Sequence, residues 1–250
     1  MKNCSPIAAP IIKGDKFSLN QCPQNALEKE QMKDIPYSSL VGSLMYAQVC
    51  TRPDIAFAVG MLGRYQSNPG LDHWKAGKGV LRYLQGTKDF KLTYKCSDSL
   101  EVIGYSDSDL GGCKDTGKST SGYIFLLAGG VVSWRSVKQT IVATSTMEAE
   151  FIAYYEATSQ ALWLKHFIFG LRIVNSISRP LRIFCDNSAA VFLSKNNKSE
   201  YLMVRDYVKK QDVNFEHVST TLMIADPMTK GLPTNIFKDH VTHMGLSSST

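Results

Sequence analysis

The spacing of apolar residues changes character along the chain, and each change marks a new kind of element. The first 20 to 35 residues carry Pro6, Pro10 and Pro23 between polar spacers, run up to Pro36, and show no sustained period. That pattern predicts a loosely structured connection. Helical spacing begins afterwards, with Leu40, Leu44 and Met45 on one side of a first segment. Arg52-Pro53-Asp54 then places a proline in the first turn of a second segment bearing Ile55, Val59, Met61 and Leu62. Asp72 is positioned to cap a third, with Trp74, Val80, Leu81 and Leu84. The helical unit ends near Gln85-Gly86-Thr87, and residues 90–94 alternate as a strand does.

From residue 100 the spacing is that of strands. Residues 100–106, 122–127 and 131–134 are predicted strands, with Gly129-Gly130 as the tight turn between the last two. Residues 146–170 form a long predicted helix with Ala153, Ala157, Ala161, Leu164 and Phe167 on one face, opened by a capping box of Ser145 and Glu148. A strand over 181–185, helices over 188–194 and 201–210, a strand over 213–218 and a helix over 224–230 follow, the last closed by Gly231-Leu232-Pro233. The order βββαβ(αα)βα describes an α/β sheet with mixed strand directions. Residues 241–250, closing on Ser247-Ser248-Ser249-Thr250, read as a flexible tail.

Composition adds limits. With 250 residues, 44% hydrophobic and 20% charged, the chain is long enough for one large domain or two small ones, and it is not of disordered composition. The longest apolar candidate, residues 122–132, falls short of the ~18 to 20 residues a membrane span needs, and the Met1-Lys2-Asn3-Cys4-Ser5 start lacks a signal-peptide core. The expectation is a soluble, intracellular chain with no membrane partner. Six scattered cysteines form no CxxC pair and read as reduced thiols. The net charge of +6 is uneven: residues 1–95 hold 13 Lys and Arg against 7 Asp and Glu, while residues 96–250 hold 15 of each. A basic first part permits a polyanionic partner, and a balanced remainder permits a site where carboxylates concentrate.

Four carboxylates fall where elements begin or end: Asp107, Glu150, Asp186 and Asp226. Mg²⁺ prefers hard oxygen ligands, and two such ions about 4 Å apart need several carboxylates converging from different elements. Each residue also has a plain structural role open to it. Asp226 before Pro227 and Asp186 before Asn187-Ser188 are both placed to act as helix N-caps. Asp107 and Asp109 share a face of an extended stretch, so spacing does not choose between them.

These residues lie in motifs that carry a resemblance. Gly104-Tyr105-Ser106-Asp107-Ser108-Asp109, Lys118-Ser119-Thr120-Ser121-Gly122-Tyr123, Val132-Ser133-Trp134-Arg135-Ser136, Thr146-Met147-Glu148-Ala149-Glu150-Phe151, Cys185-Asp186-Asn187-Ser188-Ala189 and Ala225-Asp226-Pro227-Met228-Thr229-Lys230 together resemble the ribonuclease H domain of copia-type LTR retrotransposon polyproteins. The stretches around Tyr37-Ser38-Ser39-Leu40-Val41-Gly42, Thr51-Arg52-Pro53-Asp54-Ile55 and Leu81-Arg82-Tyr83-Leu84-Gln85-Gly86-Thr87 resemble the end of the same polyprotein's reverse transcriptase. The resemblance implies a reverse-transcriptase thumb or connection remnant over 1–95 and an α/β, ribonuclease H-like mixed sheet over 96–240. It implies catalysis and metal binding by Asp107, Glu150, Asp186 and Asp226, with two Mg²⁺ ions for which Mn²⁺ substitutes. Asp107 would bridge both ions, Glu150 and Asp186 would hold one side, and Asp226 the other. The implied reaction is endonucleolytic hydrolysis of the RNA strand of an RNA–DNA hybrid, with Arg135, Lys138, Asn187 and Ser188 as contacts to the nucleic-acid backbone. It implies no small-molecule cofactor, other retrotransposon polyprotein products as partners, and a cytoplasmic, particle-associated or nuclear location.

The sequence departs from the family pattern in three places. The family has a longer stretch with a Lys-His-Ile-Asp motif where this chain passes directly from 197 to 204. No histidine stands in Ser219-Thr220-Thr221-Leu222-Met223, and His217, the nearest, is expected to be a structural residue of its strand. Leu110 replaces a usual Trp. No Tyr-x-Asp-Asp turn occurs, so DNA synthesis by this chain alone is not expected. The shortened connection leaves two readings open: a working ribonuclease H, or an inactive remnant with at most nucleic-acid binding.

Overall fold

The structure, a computed structural model, describes residues 4–96, 100–172, 179–195, 207, 210 and 212–248. The shortened connection at 197–204 lies outside the described residues, as does the helix expected over 201–210 apart from residues 207 and 210. None of the described helices is long and apolar enough to cross a membrane.

The N-terminal part holds α1 (Ala26–Lys33), α2 (Tyr37–Cys50), α3 (Ala56–Gly63) and α4 (Leu71–Gly86), followed by the short strand β1 (Phe90–Leu92). Asn25 caps α1 by accepting from the Glu28 N–H. The loose connection expected before residue 36 is instead packed: Ala9, Ile11, Phe17, Cys22 and Met32 are buried, because prolines interrupt helical spacing without removing apolar surface. In α2 the buried stripe is Tyr37, Val41 and Leu44, and Met45 faces outward. The cap of α4 is Gly70, whose N–H donates to His73 Nδ1, and Asp72 sits in the first turn.

The second part is built on a five-stranded sheet in the order β4-β3-β2-β5-β6, comprising β2 (Ile103–Ser108), β3 (Thr120–Leu127), β4 (Gly130–Lys138), β5 (Leu181–Cys185) and β6 (Val213–His217). The first three strands are antiparallel neighbours, while β5 joins β2, and β6 joins β5, in parallel. This is the ribonuclease H-like mixed sheet that the resemblance implies. The β3–β4 turn is Ala128-Gly129, both at positive φ as a two-residue I′ hairpin requires. Gly130 belongs to the strand, where a Cβ would meet the Thr93 carbonyl at 2.6 Å.

Each face of the sheet has its own cover. On one side Val102, Tyr123, Phe125, Ile183 and Phe215 meet α5 (Thr146–Leu171), whose buried stripe is Ala153, Ala157, Ala161, Leu164 and Ile168. Phe167, expected in that stripe, is exposed, since the 3.6 period carries the buried line to Ile168. On the other side Ile124 and Val131 share one core with Tyr37, Val41, Leu44, Ile55, Leu62 and Val80 of the N-terminal helices. Polar ties reinforce the join: Trp134 Nε1 donates to the Gln48 carbonyl at 3.1 Å, and Asp115 accepts from Leu19 N at 2.8 Å and Tyr65 Oη at 2.9 Å. The division drawn at 95/96 therefore runs through two stretches that share a core.

The flexible tail expected from residue 241 is also corrected. Helix α7 (Thr234–His243) buries Phe237, His240 and Val241, and β7 (Leu246–Ser248) pairs antiparallel with β1. Serines in an edge strand use only their backbone for pairing, so composition alone reads them as unstructured. The helix expected over 224–230 is a single 3₁₀ turn, Asp226–Met228.

Two buried features bear on stability. Arg52 and Asp54, both buried, form a fork of 3.0 and 2.7 Å, and the same Asp54 carboxylate accepts from Tyr83 while Arg52 also donates to Thr87. Asp54→Ala leaves an unpaired guanidinium in the helical core, and urea unfolding should show a loss of about 3–5 kcal/mol, far more than a surface pair would give. The second is Gly122, which lies opposite Asp107 in the β2–β3 register, so any side chain there would share the Asp107 face. A Cβ would meet Met228 Cβ at 2.5 Å and Thr229 Cγ2 at 2.8 Å. Gly122→Ala should cost about 1–3 kcal/mol in the same assay by displacing the 226–230 segment.

Candidate metal centre

The site forms where parallel strands end. Because β2 and β5 run side by side in the same direction, Asp107 near the end of β2 and Asp186 just after β5 emerge at one edge of the sheet. Crevices outside the carboxyl ends of parallel strands are the usual ligand sites of α/β sheets. Glu150 comes from the second turn of α5, which packs on β2 and β3 and is pinned at its start by Gln139 Nε2, bonded to the Ala149 carbonyl and to Ser121 Oγ, each at 2.9 Å.

Ligand oxygens of Asp107, Glu150 and Asp186 lie within 4.8 Å of one another. Asp107 and Glu150 are 1% and 5% exposed, and Asp186 is half-buried. They open onto a cleft of about 380 Å³ also lined by Ser108, Asp109, Leu110, Thr146, Asn187, Ser188 and Lys230. Glu150 Oε1 accepts from the Ser108 N–H at 3.2 Å, while its buried Oε2 has no hydrogen-bond partner. Burial, with Asp107 nearby, pushes Glu150 up to about 9, and burial likewise raises Asp107. Crowded, desolvated carboxylates with an orphaned oxygen are a donor set suited to a hard divalent cation, which would supply the missing positive charge.

The alternative roles left open by the sequence are decided here. Asn187 Oδ1, not Asp186, accepts from the Ala190 N–H at the start of α6 (Ser188–Lys195). Asp226 makes no cap hydrogen bond. Glu148 completes its local role by accepting from Thr144 N and Oγ1, each at 2.7 Å, so Glu150 is left for the cleft. Asp109 is bonded by the Thr120 N–H and is not one of the three converging carboxylates; burial raises it to about 6.

The fourth carboxylate sits apart from this triad. Asp226 is 5% exposed, and burial raises it to about 7. Between it and Asp107 lies Lys230, with Nζ 3.0 Å from Asp226 Oδ1 and 3.4 Å from Asp107 Oδ2. The 3.0 Å contact is an ion pair without hydrogen-bond alignment. Desolvation works against the ammonium, yet Asp107 and Asp226 outweigh it and hold Lys230 above its ordinary value. Thr229 Oγ1 donates to Asp107 Oδ2 as well. The motif over 225–230 contains Thr229 and Lys230 without marking either as part of the site; the i,i+4 spacing of Asp226 and Lys230 is the available signal.

Of the expected backbone contacts, Asn187 and Ser188 line the cleft, whereas Arg135 and Lys138 lie on edge strand β4 and do not. His217 is exposed at the end of β6 rather than packed in a core, with Nε2 3.2 Å from the Asp186 carbonyl.

No family model matches the chain. The Retrovirus-related Pol polyprotein from transposon TNT 1-94 of Nicotiana tabacum is 41% identical over 247 residues, 95% of this chain and 18% of that protein. The corresponding polyprotein from transposon RE2 of Arabidopsis thaliana is 34% identical over 255 residues, 98% of this chain and 17% of its own length. The Secreted RxLR effector protein 161 of Plasmopara viticola is 50% identical over 133 residues, 53% of this chain and 94% of that protein. Among solved structures, LC11-RNase H1 in complex with an RNA/DNA hybrid matches at 17% identity with a TM-score of 0.37, covering 52% of this chain and 94% of that one. The foamy viral protease-reverse transcriptase in complex with dsDNA matches at 11% identity with a TM-score of 0.47, covering 79% of this chain and 42% of that one. The chain spans less than a fifth of the length of the polyproteins it matches. With similarity running along nearly all of its residues, the chain belongs to the copia-type LTR retrotransposon Pol polyprotein family, of which it is a segment.

Proposed function

We propose that this segment is a ribonuclease H-type endonuclease that hydrolyses the RNA strand of RNA–DNA hybrids, using two Mg²⁺ ions for which Mn²⁺ substitutes. The observation that carries the reading is the convergence of Asp107, Glu150 and Asp186 from three different elements to within 4.8 Å, with one buried Glu150 oxygen left without a partner. Divalent cations bound there would supply Lewis acidity toward the scissile phosphate and lower the pKa of an attacking water.

The chain's own residues set the geometry. Asp107 is held at the strand end by Thr229, and Glu150 Oε1 by the Ser108 N–H, so the two buried carboxylates keep fixed directions. Asp186, half-buried, faces the open side from which a polyanion would approach. His217 props the Asp186 backbone from the same edge. Asn187 and Ser188 at the rim offer polar groups to phosphates and 2′-hydroxyls, which distinguish RNA from DNA without reading sequence. Phosphate contacts make the affinity depend on salt. Arg135 and Lys138 on β4 would serve only a duplex long enough to reach beyond the cleft.

The test is cleavage of an end-labelled RNA–DNA hybrid by the purified chain with Mg²⁺, beside Asp107→Asn prepared identically. Cutting by the wild type and a loss of at least about 10²-fold in the variant is the expected result, and chelation of the metal should abolish cutting in both. Binding of the hybrid without cleavage by well-folded wild type would point to an inactive remnant instead.

A further inference from the structure

Lys230 is a cation that the fold itself supplies at the place where Asp107 and Asp226 would share a second metal ion. Its ammonium lies 3.4 Å from one carboxylate and 3.0 Å from the other, and no other side-chain cation is paired with either among the described residues. Within the triad Lys230 reaches Asp107, while among the described residues no side-chain cation is paired with Glu150 or Asp186, and Glu150 Oε2 is buried without a partner. The acidic cluster is therefore uneven: Asp107 and Asp226 face a cation supplied by the fold, and Glu150 and Asp186 do not.

We propose that Lys230 is a built-in counter-cation that competes with the second divalent ion, so that the triad site fills first and the Asp107–Asp226 site fills only when the lysine side chain is displaced. The inference rests on the two-ion reading above. Three features support it. An ammonium carries a single charge and makes only directional N–H contacts, whereas a divalent ion attracts both carboxylates about twice as strongly at equal distance. The lysine stem is long and flexible, and the side chain is 36% exposed and lines the cleft, so it can swing toward solvent without opening the core. Asp226 sits in a single 3₁₀ turn just before Lys230, held against β4 by Ser136 Oγ donating to the Met228 carbonyl at 2.6 Å, so Asp226 stays in position when Lys230 leaves. Without Lys230, two buried carboxylates would face each other uncompensated until an ion arrived.

Mn²⁺ titration of the full chain, followed by calorimetry and by the electron paramagnetic resonance signal of free Mn²⁺, tests this. Wild type should bind one ion tightly and a second at least about tenfold more weakly. Lys230→Gln, which removes the charge, should tighten the second ion by roughly tenfold and leave the first within about twofold. Lys230→Met serves as a second charge-removing variant, Lys230→Arg should keep the second ion weak, and Asp226→Asn should abolish it in every background. An unchanged or weakened second ion in folded Lys230→Gln and Lys230→Met would overturn the proposal. Absence of even the first ion in wild type would overturn the two-ion reading itself, a separate outcome.

Discussion

A carboxylate held almost out of water at the end of a central strand sets the terms for everything around it. Asp107 is 1% exposed, and an isolated charge so placed would shed its ionisation rather than remain. Three partners hold it in place: the Thr229 hydroxyl, the Lys230 ammonium and the space left by Gly122 opposite. That space exists because the antiparallel register of β2 and β3 puts Gly122 on the same face, and the 226–230 segment lies down into it. The sheet register, the missing side chain and the ion pair are thus one structural solution to one buried charge.

The same constraint explains why the N-terminal helices are part of the architecture. The face of the sheet bearing Ile124 and Val131 is covered by α2, α3 and α4 together with the segment around Met228, in one apolar core. The turn carrying Asp226 and Lys230 is wedged between that core and β3. Stability of the helical part and geometry of the acidic cluster are coupled through packing, even though the helical part contributes no ligand to the cleft.

Family membership and site geometry bear on different questions. Similarity along the chain establishes membership of the copia-type polyprotein family. The geometry shows which groups meet: three carboxylates converge at the cleft, and a fourth, Asp226, is engaged by a lysine. The cluster is electrostatically uneven, because Lys230 lies beside Asp107 and Asp226 and not beside Glu150.

Much of this was legible in the order of residues. Periodicity marked the strands and the long helix to within a few residues, since alternation and the 3.6 repeat reflect burial that is local to each element. The residues Asp107, Glu150, Asp186 and Asp226 were identifiable as carboxylates at element ends. What local pattern could not supply was anything dependent on contacts between distant segments. Asp107 and Asp109 are equivalent on an extended chain, and only the placement of β3, with Thr120 bonding Asp109 and Gly122 opposite Asp107, separates them. Residues 4–25 and 241–248 looked unstructured because prolines and serines carry no period, yet their few apolar residues find a core and an edge strand that other parts of the chain provide. Lys230 is one cation among 28 Lys and Arg in the sequence, and its role comes from lying between two carboxylates that the sheet brings together. Sequence determines which groups are available and the period of each element; tertiary structure decides which charges share a low-dielectric space, because that depends on contacts between residues more than a hundred positions apart.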